Sequence, residues 1–211
     1  HGKVNVTSAT LTVDLYHRRL GHMSEKGLEF LKKKNYLPQL DQTTLSSCDH
    51  CLAGKQRRAS FVSTSKRKTQ ILELVHSDVC GPMEIKSLGG ASYFVTFIDD
   101  ASRKVWCYCL KNKSDVFNTF KSFHVLVERE IRKTLKCLRS DNGGEYCSNE
   151  FQVYCDKHGI RHEKTVPYTS QLNGVAERMN RTIQERVRCM LSTAKLPKGF
   201  WAETICTACY L

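Results

Sequence analysis

Three runs rich in β-branched and aromatic residues, at 72–79, 93–99 and 104–110, follow one another across turns at Gly89-Gly90 and Asp100-Ala101-Ser102. Runs of this length bounded by turn residues read as strands, and three in succession predict an antiparallel meander. The pattern then changes period. Val116, Phe120, Phe123, Val127 and Ile131 recur at steps of three and four, which is one face of a helix, with Ser114 placed to cap it. A short strand at 136–139, a helix near 149–157 ended by Gly159, a strand near 161–166 and a long helix from about 174 to 194 complete the series. The order β-β-β-α-β-α-β-α predicts an α/β fold, a mixed five-stranded sheet with helices packed against it.

The last helix is the most strongly patterned. Val175, Met179, Ile183, Val187, Met190 and Leu191 form an apolar stripe that must be buried, while Glu177, Arg181, Gln184 and Arg188 fall on a different face.

At 211 residues the chain has room for one or two domains. The N-terminal third divides into an arm at 1–14, a unit at 15–56 with two short helices, and a basic linker at 57–71 carrying Arg57, Arg58, Lys66, Arg67 and Lys68; residues 72–211 form the main domain. A start at His1 and a stop at Leu211 within an apolar helical pattern predict a piece of something longer. With 33 Lys+Arg against 21 Asp+Glu, the net charge of +12 calls for a polyanionic partner, either nucleic acid or an anionic membrane surface. No run approaches the roughly 20 apolar residues of a membrane span, and no signal-peptide layout opens the chain, so the expectation is an intracellular protein that is not secreted. Eleven cysteines, an odd number without a secretion signal, then read mostly as reduced thiols. Cys107, Cys109, Cys155, Cys189, Cys206 and Cys209 read as small buried or half-buried hydrophobes.

Two constellations carry chemistry. His17 and His22 are separated by four residues, Cys48 and Cys51 by two, with 25 residues between the pairs. A two-residue gap lets both thiolates reach one ion, and four nitrogen and sulfur donors suit a closed tetrahedral zinc site. One structural Zn2+ would supply folding energy to a unit with few large apolar groups. His50, between the cysteines, is an alternative ligand.

The second constellation is acidic. Asp78 lies at the end of the first strand, Asp141 follows the fourth, and Glu177 opens the long helix, with 62 and 35 residues between them. If the first and fourth strands are neighbours, the two aspartates meet and the helix can lay Glu177 beside them. Converging carboxylates repel unless cations lie among them, and oxygen donors favour Mg2+ or Mn2+. Two such ions can activate an attacking oxygen and stabilise a leaving oxygen at phosphorus. Taken singly, each acid reads equally well as a cap or a solvated charge.

The residues that carry both constellations resemble the integrase of copia-type retrotransposons, with the DDE catalytic core of retroviral integrases. The resemblance lies in His17-Arg18-Arg19-Leu20-Gly21-His22, Cys48-Asp49-His50-Cys51, His76-Ser77-Asp78 with Gly81-Pro82, Phe97-Ile98-Asp99-Asp100, Ser140-Asp141-Asn142-Gly143-Gly144-Glu145-Tyr146, and Asn173-Gly174-Val175-Ala176-Glu177-Arg178. It implies a ribonuclease H-like core and a His-His-Cys-Cys zinc domain. It also implies that Asp78, Asp141 and Glu177 are catalytic acids binding two Mg2+ or Mn2+ ions. The implied reaction joins the 3′-hydroxyl ends of element DNA to target DNA, in the nucleus after cytoplasmic assembly, by a homo-oligomer on DNA and without a membrane partner. The sequence departs from the family pattern at Tyr16, Ala101, Ser170 and Leu172.

Lys164, Arg178, Arg181, Arg186 and Arg188 are candidates for phosphate contacts, and Asn142, Gln171 and Asn173 for contacts with DNA beside the metals. A solvated helix face and ordinary loop chemistry explain the same residues. Against an active transferase stand two rivals: a DNA-binding or assembly module whose catalysis has lapsed, and a nuclease that uses water as nucleophile.

Overall fold

A computed structural model describes residues 13–37, 40, 43–45, 47–54, 67–165 and 170–210, with the side chains of 170–172 excepted. The expected arm lies outside the described residues except for Val13 and Asp14, which are helical and open α1. Arg57, Arg58 and Lys66 of the expected linker also lie outside them.

Helices α1 (Val13–Arg19), α2 (Glu25–Lys33) and α3 (Asp49–Gly54) make an N-terminal module whose small core is Leu28, Leu37 and Leu40, flanked by Tyr16, Leu20 and Leu31. Ser24 caps α2 by accepting from the Gly27 N–H, which satisfies one of the free donors of the first turn.

The remainder is the expected mixed sheet. Strands β1 (Val75–Cys80), β2 (Tyr93–Asp99), β3 (Val105–Leu110), β4 (Cys137–Ser140) and β5 (Arg161–Lys164) lie in the order β3-β2-β1-β4-β5. The first three are antiparallel, and β4 and β5 join in parallel through crossover helices. Alternation along β2 feeds two cores. Val95 and Phe97 face α4 (Val116–Ile131) and α5 (Asn149–Lys157), where Phe97 stacks on Phe123 at 4.2 Å. Phe94 faces the other way, toward Ile183, Val187 and Leu191 of α6 (Ser170–Ala194) and toward Trp201 and Ile205 of α7 (Trp201–Tyr210). A sheet covered on both faces accounts for six buried residues among the seven of β2.

Several boundaries differ from the sequence reading, and three of them bear on the argument. Strand β1 begins at Val75, because the Leu72 N–H is taken by Asp99 Oδ1 at 2.8 Å instead of a ladder partner. Ser114 falls inside a 3-10 turn, Lys113–Asp115, where the Asp115 carboxylate accepts from the Asn112 N–H at 2.9 Å. Helix α6 starts at Ser170, so Glu177 lies in its second turn and not its first. Cys155 and Cys189 are buried as expected, but Cys206 is exposed on α7.

Past β1 the chain turns at Gly81, with φ at 130°. A Cβ there would stand 2.7 Å from the Ser92 carbonyl oxygen, so only glycine fits.

Candidate metal centres

The N-terminal module gathers His17, His22, Cys48 and Cys51 so that their donor atoms all lie within 4.8 Å of one another. The donors can be named. His17 Nε2 and His22 Nδ1 stand 3.1 Å apart, Cys51 Sγ is 3.3 Å from the first and 3.5 Å from the second, and Cys48 Sγ is 3.5 Å from His22 Nδ1. A zinc tetrahedron with the usual bond lengths has edges of roughly 3.4–3.8 Å, so the four atoms fit one ion. Gly21 and His22 adopt left-handed conformations, with φ at 62° and 56°, which turn the second imidazole back toward the first. Such a conformation costs a non-glycine residue about 1 kcal/mol or more and is held by its surroundings. His50 points elsewhere, its Nδ1 at 2.8 Å from Ser192 Oγ, and is not a ligand of this cluster.

The carboxylates occupy the far end of the sheet. The parallel ladder pairs Val75 with Leu138 and His76 with Arg139. Counted on from the Val75–Leu138 pair, Asp78 comes three residues later within β1 and Asp141 three residues later in the turn just past β4, so both lie toward the same end of the sheet. Helix α6 crosses β1 at this point with a polar stripe at steps of three and four. Asn173 Nδ2 donates to the Ser77 carbonyl (3.4 Å), Asn180 Nδ2 to Asp78 Oδ2 (2.9 Å) and Gln184 Nε2 to Cys80 Sγ (2.7 Å). Glu177 lies on the same stripe between Asn173 and Asn180.

Burial, then the charge of Asp141, then that of Glu177 push the Asp78 carboxyl up to about 6, with the Asn180 hydrogen bond opposing them. Among the described residues, however, only the His/Cys group closes its donor atoms to within 4.8 Å. The carboxylates stand further apart, as mutually repelling charges do. An all-oxygen donor set of this kind fits Mg2+ or Mn2+ and not zinc.

The surroundings hold the acids in place. The Asp141 carboxylate accepts from the Gly143 N–H at 3.1 Å, which fixes the turn after β4. Beneath them, fully buried Tyr146 shares a 2.6 Å hydrogen bond with Ser77 Oγ, and burial raises its phenol well above the usual range. His162 Nε2 meets Ser140 Oγ at 2.9 Å, and burial and the nearby Lys164 charge lower that imidazole to about 4, so it is neutral at pH 7.

Of the residues expected at a DNA surface, Lys164, Arg178 and Arg181 are exposed. Asn142 is exposed too, but its Nδ2 donates to the Thr165 carbonyl at 3.0 Å. Asn173 is 2% exposed and supports β1, and Arg188 Nε donates to the Gly54 carbonyl at 2.9 Å, tying α6 to the N-terminal module. The Gln171 side chain lies outside the described residues. Arg178 and Arg186 line, with Arg103 and Lys104, a groove of 990 Å³ along another face of α6.

Sequence reasoning missed Asn180 and Thr96. Asn180 is 3% exposed, and it accepts from Thr96 Oγ1 at 2.8 Å while donating to Asp78. Its signal was a polar residue three positions after Glu177, beside an apolar stripe.

Residues 68–170 match the integrase core domain and residues 1–56 the GAG-pre-integrase domain. Over 210 residues, all but the whole of this chain, it is 63% identical to the Retrovirus-related Pol polyprotein from transposon TNT 1-94 of Nicotiana tabacum, covering 16% of that protein. It is 36% identical over 93% of its length to the Pol polyprotein from transposon RE2 of Arabidopsis thaliana, covering 13% of it. The chain thus spans less than a fifth of these relatives. A chain of the simian T-cell lymphotropic virus intasome, solved with PP2A regulatory subunit B56 gamma, is similar at 18% identity and a TM-score of 0.49, over 68% of this chain and 50% of that one.

Fold and site define an integrase core carrying a His/Cys module. The chain belongs to the copia-type retrotransposon Pol family, as its integrase segment. Among the described residues no helix is long and apolar enough to cross a membrane.

Proposed function

We propose that this chain is a metal-dependent polynucleotidyl transferase that joins the 3′-hydroxyl ends of element DNA to target DNA. One observation carries the reading: β4, which leads into Asp141, lies parallel beside β1, which carries Asp78, and α6 is held against Asp78 by the 2.9 Å Asn180 hydrogen bond three residues from Glu177.

Asp78, Asp141 and Glu177 would hold two Mg2+ or Mn2+ ions. Such a pair, about 3.5–4 Å apart, supplies activation of the attacking oxygen and stabilisation of the leaving oxygen. Asn180 orients Asp78 by holding Oδ2, and the Gly143 N–H orients Asp141 through Oδ1. Exposed Lys164, Arg178 and Arg181 offer cations to phosphates, in line with the net charge of +12. His17, His22, Cys48 and Cys51 would hold one structural Zn2+ with all four positions filled by protein, which leaves no place for a reacting water. The working form is a homo-oligomer on DNA, acting in the nucleus.

Incubation with a short duplex and Mg2+ or Mn2+ tests the reading. Strand-transfer products are expected, and Asp141→Asn should abolish them with DNA binding retained. Cleavage without joining would make the protein a nuclease, binding alone would make it a lapsed assembly module, and unchanged products from Asp141→Asn would remove that residue from the mechanism.

A further inference from the structure

The two imidazoles of the His/Cys site are held from behind in different ways. His17 presents Nε2 to the cluster and its Nδ1 meets the Met23 carbonyl at 2.8 Å, a partner inside the N-terminal module. His22 presents Nδ1 to the cluster and its Nε2 meets Thr193 Oγ1 at 2.8 Å, a partner on α6 and 171 positions away in the chain. An imidazole whose Nδ1 lone pair is committed to a cation carries its remaining proton on Nε2, and that N–H donates to the threonine oxygen.

The contact is embedded in a seat. Along one face of α6, Arg188 Nε donates to the Gly54 carbonyl (2.9 Å), Cys189 Sγ lies 3.2 Å from the His50 carbonyl, and Ser192 Oγ lies 2.8 Å from His50 Nδ1. These residues, with Thr193, lie at successive turns on the side facing α3. The same helix carries Glu177 sixteen residues earlier, about 24 Å along its axis.

We infer that Thr193 is a positioning residue of the His/Cys metal site and that, through the His22–Thr193 hydrogen bond, metal loading of the N-terminal module and the docking of α6 are coupled. The inference rests on the reading of this cluster as a zinc site. Coupling works in both directions: a loaded cluster fixes the His22 ring and with it the seat of α6, and the seated helix in turn fixes the ring for the metal. Because His17 is held from within the module, the coupling runs through His22.

Zinc affinity measured by competition with a chromophoric chelator, in the parent, Thr193→Val and Thr193→Ser proteins, tests this together with hydrogen exchange of residues 188–194 with and without zinc. The valine variant, which keeps the shape and loses the oxygen, should bind zinc about 10–100-fold more weakly, the usual cost of losing an outer partner of a ligand histidine. The serine variant should restore the parent affinity. Removing zinc from the parent should speed exchange across 188–194, and the valine variant should exchange fast there even when loaded. Equal zinc affinity in parent and valine variant, or exchange in the parent indifferent to zinc, overturns the inference while leaving the zinc site intact. Failure of the parent to bind zinc overturns the zinc reading itself, and this inference with it.

Discussion

Asn180 stands between Thr96 and Asp78, accepting from the threonine hydroxyl at 2.8 Å and donating to the aspartate at 2.9 Å. It joins β2, α6 and β1 at a buried point and decides which Asp78 oxygen is already engaged. Asn180→Ala should cost about 1–3 kcal/mol, because it strands buried Thr96 and half-buried Asp78 at once. It should also move the Asp78 pKa further above about 6, since the lost hydrogen bond favours the carboxylate. Denaturant unfolding checks the first expectation and NMR titration of the Asp78 carboxyl the second; an unchanged titration would show that the bond is not formed in solution.

Asp78 also sets a pH dependence. Its folded pKa, about 6, lies above the ordinary 3.8. Its contribution to stability is therefore present below about pH 4 and lost as pH rises through about 6. Binding of a divalent cation has the opposite trend, because the cation needs the carboxylate. Mn2+ affinity should climb with pH up to about 6 and then level, with about one proton released per site occupied at pH 5. Calorimetry in buffers of different ionisation enthalpy measures that release, and affinity flat from pH 5 to 7 would contradict it.

The seat of the N-terminal module depends on a glycine. A Cβ on Gly54 would stand 2.7 Å from Cys189 Sγ and 3.4 Å from its backbone nitrogen. Gly54→Val should destabilise by about 1–3 kcal/mol through overpacking. Adding Cys189→Ala should recover part of that loss, and a double-mutant cycle by thermal unfolding would show coupling. Strict additivity would place the two residues apart.

Metal removal should act unevenly. The N-terminal module buries Leu28, Leu37 and Leu40, whereas the sheet buries an aromatic-rich layer on one face and a larger aliphatic layer with Phe94 and Trp201 on the other. Chelation, or Cys51→Ala, should raise hydrogen exchange through α1, α2 and α3 and leave β1, β2 and β4 protected. Uniform protection after chelation would show that the module folds without metal.

Much of this was legible before any coordinates. The meander at 72–110 and the stripe of α6 announced themselves because strand and helix periods differ, and β2 matches its expected range, Tyr93–Asp99. The pairing of β1 with β4 entered only as the condition under which the two aspartates could meet, and the parallel ladder meets that condition. Spacing alone also picked out the His/Cys donors, but it could not discard His50, whose direction is set by Ser192 across the module interface. The expected start of α6 at about 174 follows the apolar stripe, which opens at Val175; the helix begins a turn earlier, where buried Asn173 donates to the Ser77 carbonyl, a polar contact outside that stripe. Buried polar links such as Thr96–Asn180 and His22–Thr193 are contacts across long sequence separations, on which local pattern is silent. Arg188 shows the same limit: it is exposed on α6, as its polar face suggests, but its Nε donates to the Gly54 carbonyl, a contact across the chain that no local pattern announces.

Anomalous X-ray scattering from crystals of the protein with a DNA end and Mn2+ tests the acidic centre most directly. The account predicts manganese bound by Asp78 and Asp141, with Glu177 drawn in to complete the site. Manganese found only at other positions, or Glu177 contributing no ligand at saturating Mn2+, would contradict it.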